Sequence, residues 1–261
     1  MKNFEQQREN NEMSWQDSPY WAEKGNAKEQ FDITFGDRKI DVANFSKTAL
    51  TEDQLAILQK VIGEFAQIKD GECFDKIKSI LIDNVQPIDP ETKVGINGMS
   101  VEKNDGIIKL YPRAIEPINH RVKGVSNFEG TMVHEITHAL ADKETSTEWK
   151  RRFGWKVNEE KWDRIKRSGL MEELRVTPQK DWPKLHPNIF EMIRVWEIDE
   201  PKRCVTDYAK LGPEDDLAES MVAALCNPDV LDKRRLMFLR DRFLLGINEE
   251  TAPVVDIQKR M

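Results

Sequence analysis

Leu55, Leu58, Val61, Ile62, Phe65 and Ile68 recur at three- and four-residue steps, which predicts one amphipathic helix over 51–69. Thr51 and Gln54 supply its start, a hydroxyl and an amide spaced to satisfy each other's backbone N–H groups. The apolar run Ile77, Ile80, Leu81 and Ile82, bounded by the turn-prone pair Gln86 and Pro87, predicts a buried strand over 76–84. A second strand is predicted over 106–111, ahead of Pro112. Ser126 and Glu129 repeat the S-x-x-E start signal, and Met132, Val133, Ile136, Ala139 and Leu140 carry a helix to about residue 142.

Beyond that helix the pattern weakens. Residues 143–203 hold five of the seven tryptophans and four prolines, and read as irregular structure with short helices, an insertion or cap. Gly212 and Pro213 then open another helix with Leu217, Met221, Val222 and Leu225 on one face; Leu236, Leu239, Phe243 and Leu244 mark a last one. Strands beside one helix, followed by a mostly helical second half, predict an α+β fold. Residues 1–28 are polar and poor in aliphatics, which reads as a flexible leader, with Trp15, Tyr20 and Trp21 able to dock it. Residues 29–261 read as one domain.

Composition narrows the function. The formal charge of −7 and pI near 5.4 argue against a nucleic-acid binder, since phosphate neutralisation needs clustered Lys and Arg. The runs Lys150-Arg151-Arg152 and Lys233-Arg234-Arg235 read as solvated helix faces. Cys73, Cys204 and Cys226 are widely spaced and include no C-x-x-C pair, so neither a disulfide framework nor a thiolate metal site is expected. No apolar stretch approaches the roughly 18 residues of a membrane span, and the N-terminal residues show no signal-peptide core. The expectation is a cytoplasmic protein, or one exported without a cleaved signal peptide, with no membrane partner and a monomeric state assumed.

The chemistry is concentrated in His134-Glu135-Ile136-Thr137-His138. Residues four apart share a helix face, so two imidazoles can hold one zinc ion at about 2.0–2.1 Å. Glu135 projects about 100° from His134. There it can act as general base toward a metal-activated water, which is the H-E-x-x-H mechanism. Val133, Ile136 and Leu140 give this helix a buried side, so the histidines sit at the edge of a core. A third protein ligand is required, and the remaining histidines are His120 and His186. No H-E-x-x-H-x-x-G-x-x-H continuation is present, because Ala139-Leu140-Ala141-Asp142 follows His138.

A carboxylate is offered by 205–220, which contains Tyr208, Glu214, Asp215, Asp216 and Ala218-Glu219. With this segment the chain resembles the gluzincin metallopeptidases, and more closely their branch that includes the catalytic domain of anthrax lethal factor. That branch carries Glu-x-x-Ala-Glu on a helix, with a Tyr seven residues before the first Glu. The resemblance implies a zincin-like α+β fold, with a small mixed sheet packed on the metal-binding helix. It implies Asp215 as the third zinc ligand, in place of the usual Glu, with Glu214 and Glu219 as alternatives. It also implies Glu219 as the acid that supports a ligand histidine, Tyr208 as the group polarising the scissile carbonyl, and 106–111 as the edge strand on which substrate lies. The implied activity is that of a zinc-dependent endopeptidase acting on a protein or peptide. The competing class is a binding or regulatory module on the same fold, without turnover.

Overall fold

The sheet begins earlier than the hydrophobic pattern was read to predict. In a computed structural model, which describes residues 27–86, 96–101, 106–176, 195–243 and 255–260, β1 (Glu29–Phe35) and β2 (Arg38–Asn44) form an antiparallel hairpin. Its turn is made by Gly36 at φ 61°, a conformation few side chains tolerate. Phe31, Ile33, Ile40 and Val42 point to one face and are buried there. The alternation of buried and exposed positions is plain once the turn at Gly36 is recognised.

α1 (Glu52–Ala66) starts where the capping pair predicts: Thr51 Oγ1 accepts from Gln54 N–H at 3.2 Å, and Thr51 N–H donates to Gln54 Oε1 at 3.0 Å. After the short α2 (Glu72–Lys76) comes β3 (Ser79–Ile82), buried at all four positions and parallel to β2. β5 (Ile107–Leu110) runs parallel to β3, and β4 (Gly98–Val101) pairs antiparallel with β5. With β8 (Asp256–Lys259) antiparallel to β1, the strand order is β4-β5-β3-β2-β1-β8, a mixed sheet in an α+β arrangement. This corrects one expectation. The strand within 106–111 is not an edge, because β3 and β4 flank it on both sides; the outer position belongs to β4.

The main core fills one face of this sheet. α3 (Asn127–Leu140) lies there with α1, and sends Phe128, Met132, Val133, Ile136 and Leu140 against Ile80, Ile108 and Leu110. Each such apolar side chain contributes about 1.5–3 kcal/mol when fully buried. α7 (Pro213–Cys226) packs along α3 through Leu217, Met221 and Val222. The tryptophan-rich stretch contains α4 (Lys143–Phe153), β6 (Trp155–Val157), α5 (Glu159–Arg167), α6 (Leu170–Val176) and β7 (Trp196–Ile198). Trp149 and Trp155 belong to the main core, whereas Ile165, Leu170, Leu174 and Val195 form a small cluster of their own. Residues 1–26, most of the expected leader, and His186 lie outside the described residues.

α8 (Lys233–Arg242) corrects a second expectation. Lys233 and Arg234 are exposed, but Arg235, turned a further 100° about the axis, is only 1% exposed and ion-paired to Asp216 at 2.5 Å. Among the described residues no helix is long and apolar enough to cross a membrane.

Candidate metal centre

Ser126 caps α3 by accepting from Glu129 N–H at 3.2 Å, and from there the four-residue spacing brings His134 and His138 onto one face. Their Nε2 atoms are 3.0 Å apart. Asp215, in the first turn of α7, places Oδ1 3.8 Å from His134 Nε2 and 3.6 Å from His138 Nε2. For bonds near 2.0–2.1 Å at tetrahedral angles, ligand atoms stand about 3.3 Å apart, and the three separations bracket that value. Two imidazole lone pairs at 3.0 Å also repel each other unless a proton or a cation lies between them. Among the described residues, His134, His138 and Asp215 are the group whose donor atoms converge in this way. A set of two nitrogens and one carboxylate oxygen fits a divalent first-row metal.

The surroundings fix which nitrogen of His134 is available. Its Nδ1 is 3.0 Å from Glu219 Oε1, on a carboxylate with no solvent exposure. Glu219 Oε2 accepts from Thr206 Oγ1 at 2.9 Å, and that hydroxyl accepts in turn from Ala209 N–H at 3.1 Å. A carboxylate here accepts the Nδ1 proton, which leaves Nε2 bare and directed at the cluster. His120 approaches the same acid. Its Nδ1 accepts from Val122 N–H at 3.2 Å, so its proton sits on Nε2, 3.6 Å from Glu219 Oε1. Burial pushes His134 down to about 3, with His138 adding to the effect and Asp215 opposing it. Burial likewise takes His120 down to about 4. For His138 burial acts downward but is outweighed by the facing Asp215 carboxylate and by the charges of Glu135 and Glu214, and the net direction is up.

Two glycines make the packing possible. A Cβ on Gly130 would stand 2.3 Å from His120 Cγ, so α3 can pass the imidazole only with hydrogen at this position. A Cβ on Gly98 would meet Glu135 Cγ at 2.8 Å and Oε1 at 2.9 Å, which places the backbone of β4 directly over Glu135. Glu135 is buried beneath that strand at 6% exposure.

Tyr208 lies in the short turn Tyr208–Leu211 that leads into α7, its ring centroid 5.7 Å from that of His134. Burial first, then the Asp215 charge, pushes its phenol well above the ordinary value despite Arg121, so it stays a donor. The Arg121 guanidinium rests 3.9 Å from the centre of that ring. The structure thus draws His134, Glu135, His138, Tyr208, Asp215 and Glu219 into one cluster. Compared with protein-family models, curated proteins and solved structures, the chain finds no match.

Sequence reasoning gave no role to His120, Arg121, Thr206, Gly98 or Gly130. His120 carried a usable signal, being one of only four histidines. The two glycines carried none, since a close approach between residues 10 or 37 positions apart is visible only in space.

Proposed function

We propose that this chain is a zinc-dependent endopeptidase of zincin-like fold, a hydrolase for peptide bonds in proteins or peptides. The observation that carries the reading is the convergence of His134, His138 and Asp215 on one point, with the buried Glu135 beside it. His134 Nε2, His138 Nε2 and Asp215 Oδ1 are the atoms that would hold the ion. Bound there, Zn²⁺ supplies Lewis acidity, which lowers the pKa of water and polarises a carbonyl oxygen.

The chain's own groups account for the rest of the chemistry. Glu135 takes a proton from the attacking water on its carboxylate and passes it to the leaving nitrogen, and its burial between α3 and β4 excludes competing solvent. Tyr208, kept protonated, donates its O–H toward the carbonyl oxygen as that atom gains charge. Glu219 and Thr206 hold His134 in the tautomer that directs Nε2 inward.

Metal analysis and peptide mapping by mass spectrometry of the same preparations test this reading. Native protein should hold about one zinc per chain and cut a denatured protein substrate. Glu135→Gln should retain the metal and lose the cuts. Asp215→Ala should abolish tight zinc binding, whereas Glu219→Ala should weaken it roughly 10- to 100-fold. No zinc in native protein after reconstitution, or native-level cutting by Glu135→Gln, overturns the proposal; full affinity in Asp215→Ala reassigns the third ligand.

A further inference from the structure

Arg121 is a cation without a carboxylate partner among the described residues, and it lies against the ring next to the metal-binding cluster. Acids outnumber Lys and Arg by 47 to 40, and most of the described cations have a carboxylate at hand: Lys60 with Glu129, Lys150 with Glu214, Lys210 with Asp207, Arg235 with Asp216 and Arg260 with Asp32 and Asp41. Among the described residues no carboxylate lies within ion-pair distance of the Arg121 guanidinium, although the residue is exposed and directly follows the buried His120. What holds it is the face of the Tyr208 ring, 3.9 Å from Cζ. The ring face satisfies the charge of the guanidinium but supplies no carboxylate for its N–H groups, and none is within reach among the described residues. A guanidinium is suited to a two-point contact with a carboxylate.

The position gives this unmatched cation a use. Tyr208 is the aromatic neighbour of His134, so a group bound by Arg121 would lie beside the reacting centre. The other charges at the site are acidic, Glu135, Asp215 and the buried Glu219, and a divalent ion would offset two of them.

We propose that Arg121 determines specificity by binding a carboxylate of the substrate, so that the preferred peptides carry an acidic group next to the scissile bond. This deepens the peptidase reading and rests on it. Two sources of carboxylate share the chemistry, an Asp or Glu side chain and a free peptide C-terminus.

Matched peptide sets separate them. One set compares Asp and Glu with Asn and Gln at each position around the cut in amidated peptides; the other compares neutral peptides with free and with amidated C-termini. The readout is the ratio of kcat/KM between paired peptides, so that any general effect of Arg121 on Tyr208 cancels. Native protein should favour one kind of carboxylate by roughly 10- to 100-fold, the size expected for a charge-assisted pair. Arg121→Gln should bring the ratio to about one, and Arg121→Glu should invert it toward peptides bearing Lys or Arg. A ratio near one in native protein, or a preference unchanged in Arg121→Gln, overturns the proposal.

Fluorescence anisotropy with the same labelled peptides on zinc-treated Glu135→Gln protein, with and without Arg121→Gln, gives the second readout. Carboxylate-selective, Arg121-dependent binding without cleavage by native protein would sink the peptidase reading, and with it the placement beside a scissile bond, while the Arg121–carboxylate contact itself would stand. Neither binding nor cleavage of any peptide sinks both.

Discussion

Asp216→Asn tests how the carboxylate end of the site is held. Asp216 Oδ2 accepts from Trp149 Nε1 and Trp155 Nε1, both at 3.0 Å, and from Arg235 Nη1 at 2.5 Å. The two charged side chains are 0% and 1% exposed. One carboxylate therefore joins α7 to α4, β6 and α8, next to Asp215 in the chain. Asn preserves the shape and an acceptor oxygen but leaves the Arg235 guanidinium buried without a counter-charge. Breaking a buried pair from one side costs about 3–5 kcal/mol. At roughly 2–4 °C per kcal/mol for a chain of this size, the melting midpoint should fall by about 6–20 °C. Calorimetry on Asp216→Asn, Arg235→Met and the double variant measures both the loss and the coupling. The double variant should be more stable than Asp216→Asn alone, because it removes the stranded charge. Zinc affinity should fall in Asp216→Asn as the first turn of α7 loosens. A midpoint within about 2 °C of native, or strictly additive losses, would refute the clamp.

Two further outcomes follow from packing and burial. Gly130→Ala should lose about 1–3 kcal/mol despite the better helix propensity of Ala, because the added Cβ meets His120 at its Cγ, which no rotation of the ring tip can relieve. Zinc affinity should fall with it through Glu219, and native stability together with native affinity in this variant would dismiss the contact. Glu64, on α1, has its carboxyl pushed up to about 7 from 4.5 by burial, with Lys60 opposing and Glu129 adding. A carboxyl whose pKa is higher in the folded state binds more protons there, so stability declines as pH rises from about 4.5 to 7 and stays reduced above it. Glu64→Gln should therefore gain about 1–3 kcal/mol over native at pH 8 and little at pH 4, and a gain equal at both values would show that titration is not the cause.

The parts of this protein that were legible in advance are those in which neighbours along the chain decide the outcome. Thr51 with Gln54 and Ser126 with Glu129 marked the starts of α1 and α3 to within one residue, because capping is satisfied inside a single turn. The spacing of His134 and His138 was legible for the same reason. β4 and β8 were not, since four-residue strands earn their place only through a partner. Arg235 was misread because a run of like charges hides the helical rotation that turns its third member inward. The small cluster around Ile165 and Leu174 blurred into the tryptophan-rich stretch, where aromatic residues serve two separate packing groups.

The pairing of β8 with β1 has a consequence for how the protein is made. The sheet is closed by residues 256–259, so at a synthesis rate of about 5–20 residues per second β1 waits roughly 10–45 s for its outer neighbour. An unpaired edge is a template for other chains. Glu29 and Asp32 on β1 and Asp41 on β2 lie near that waiting edge, with Lys39 3.4 Å from Asp32 and 3.1 Å from Asp41. Lys259 and Arg260 arrive with β8, Lys259 reaching Glu29 at 2.8 Å and Arg260 meeting Asp32 and Asp41. The acids beside the waiting edge are thus the ones that its own last strand engages.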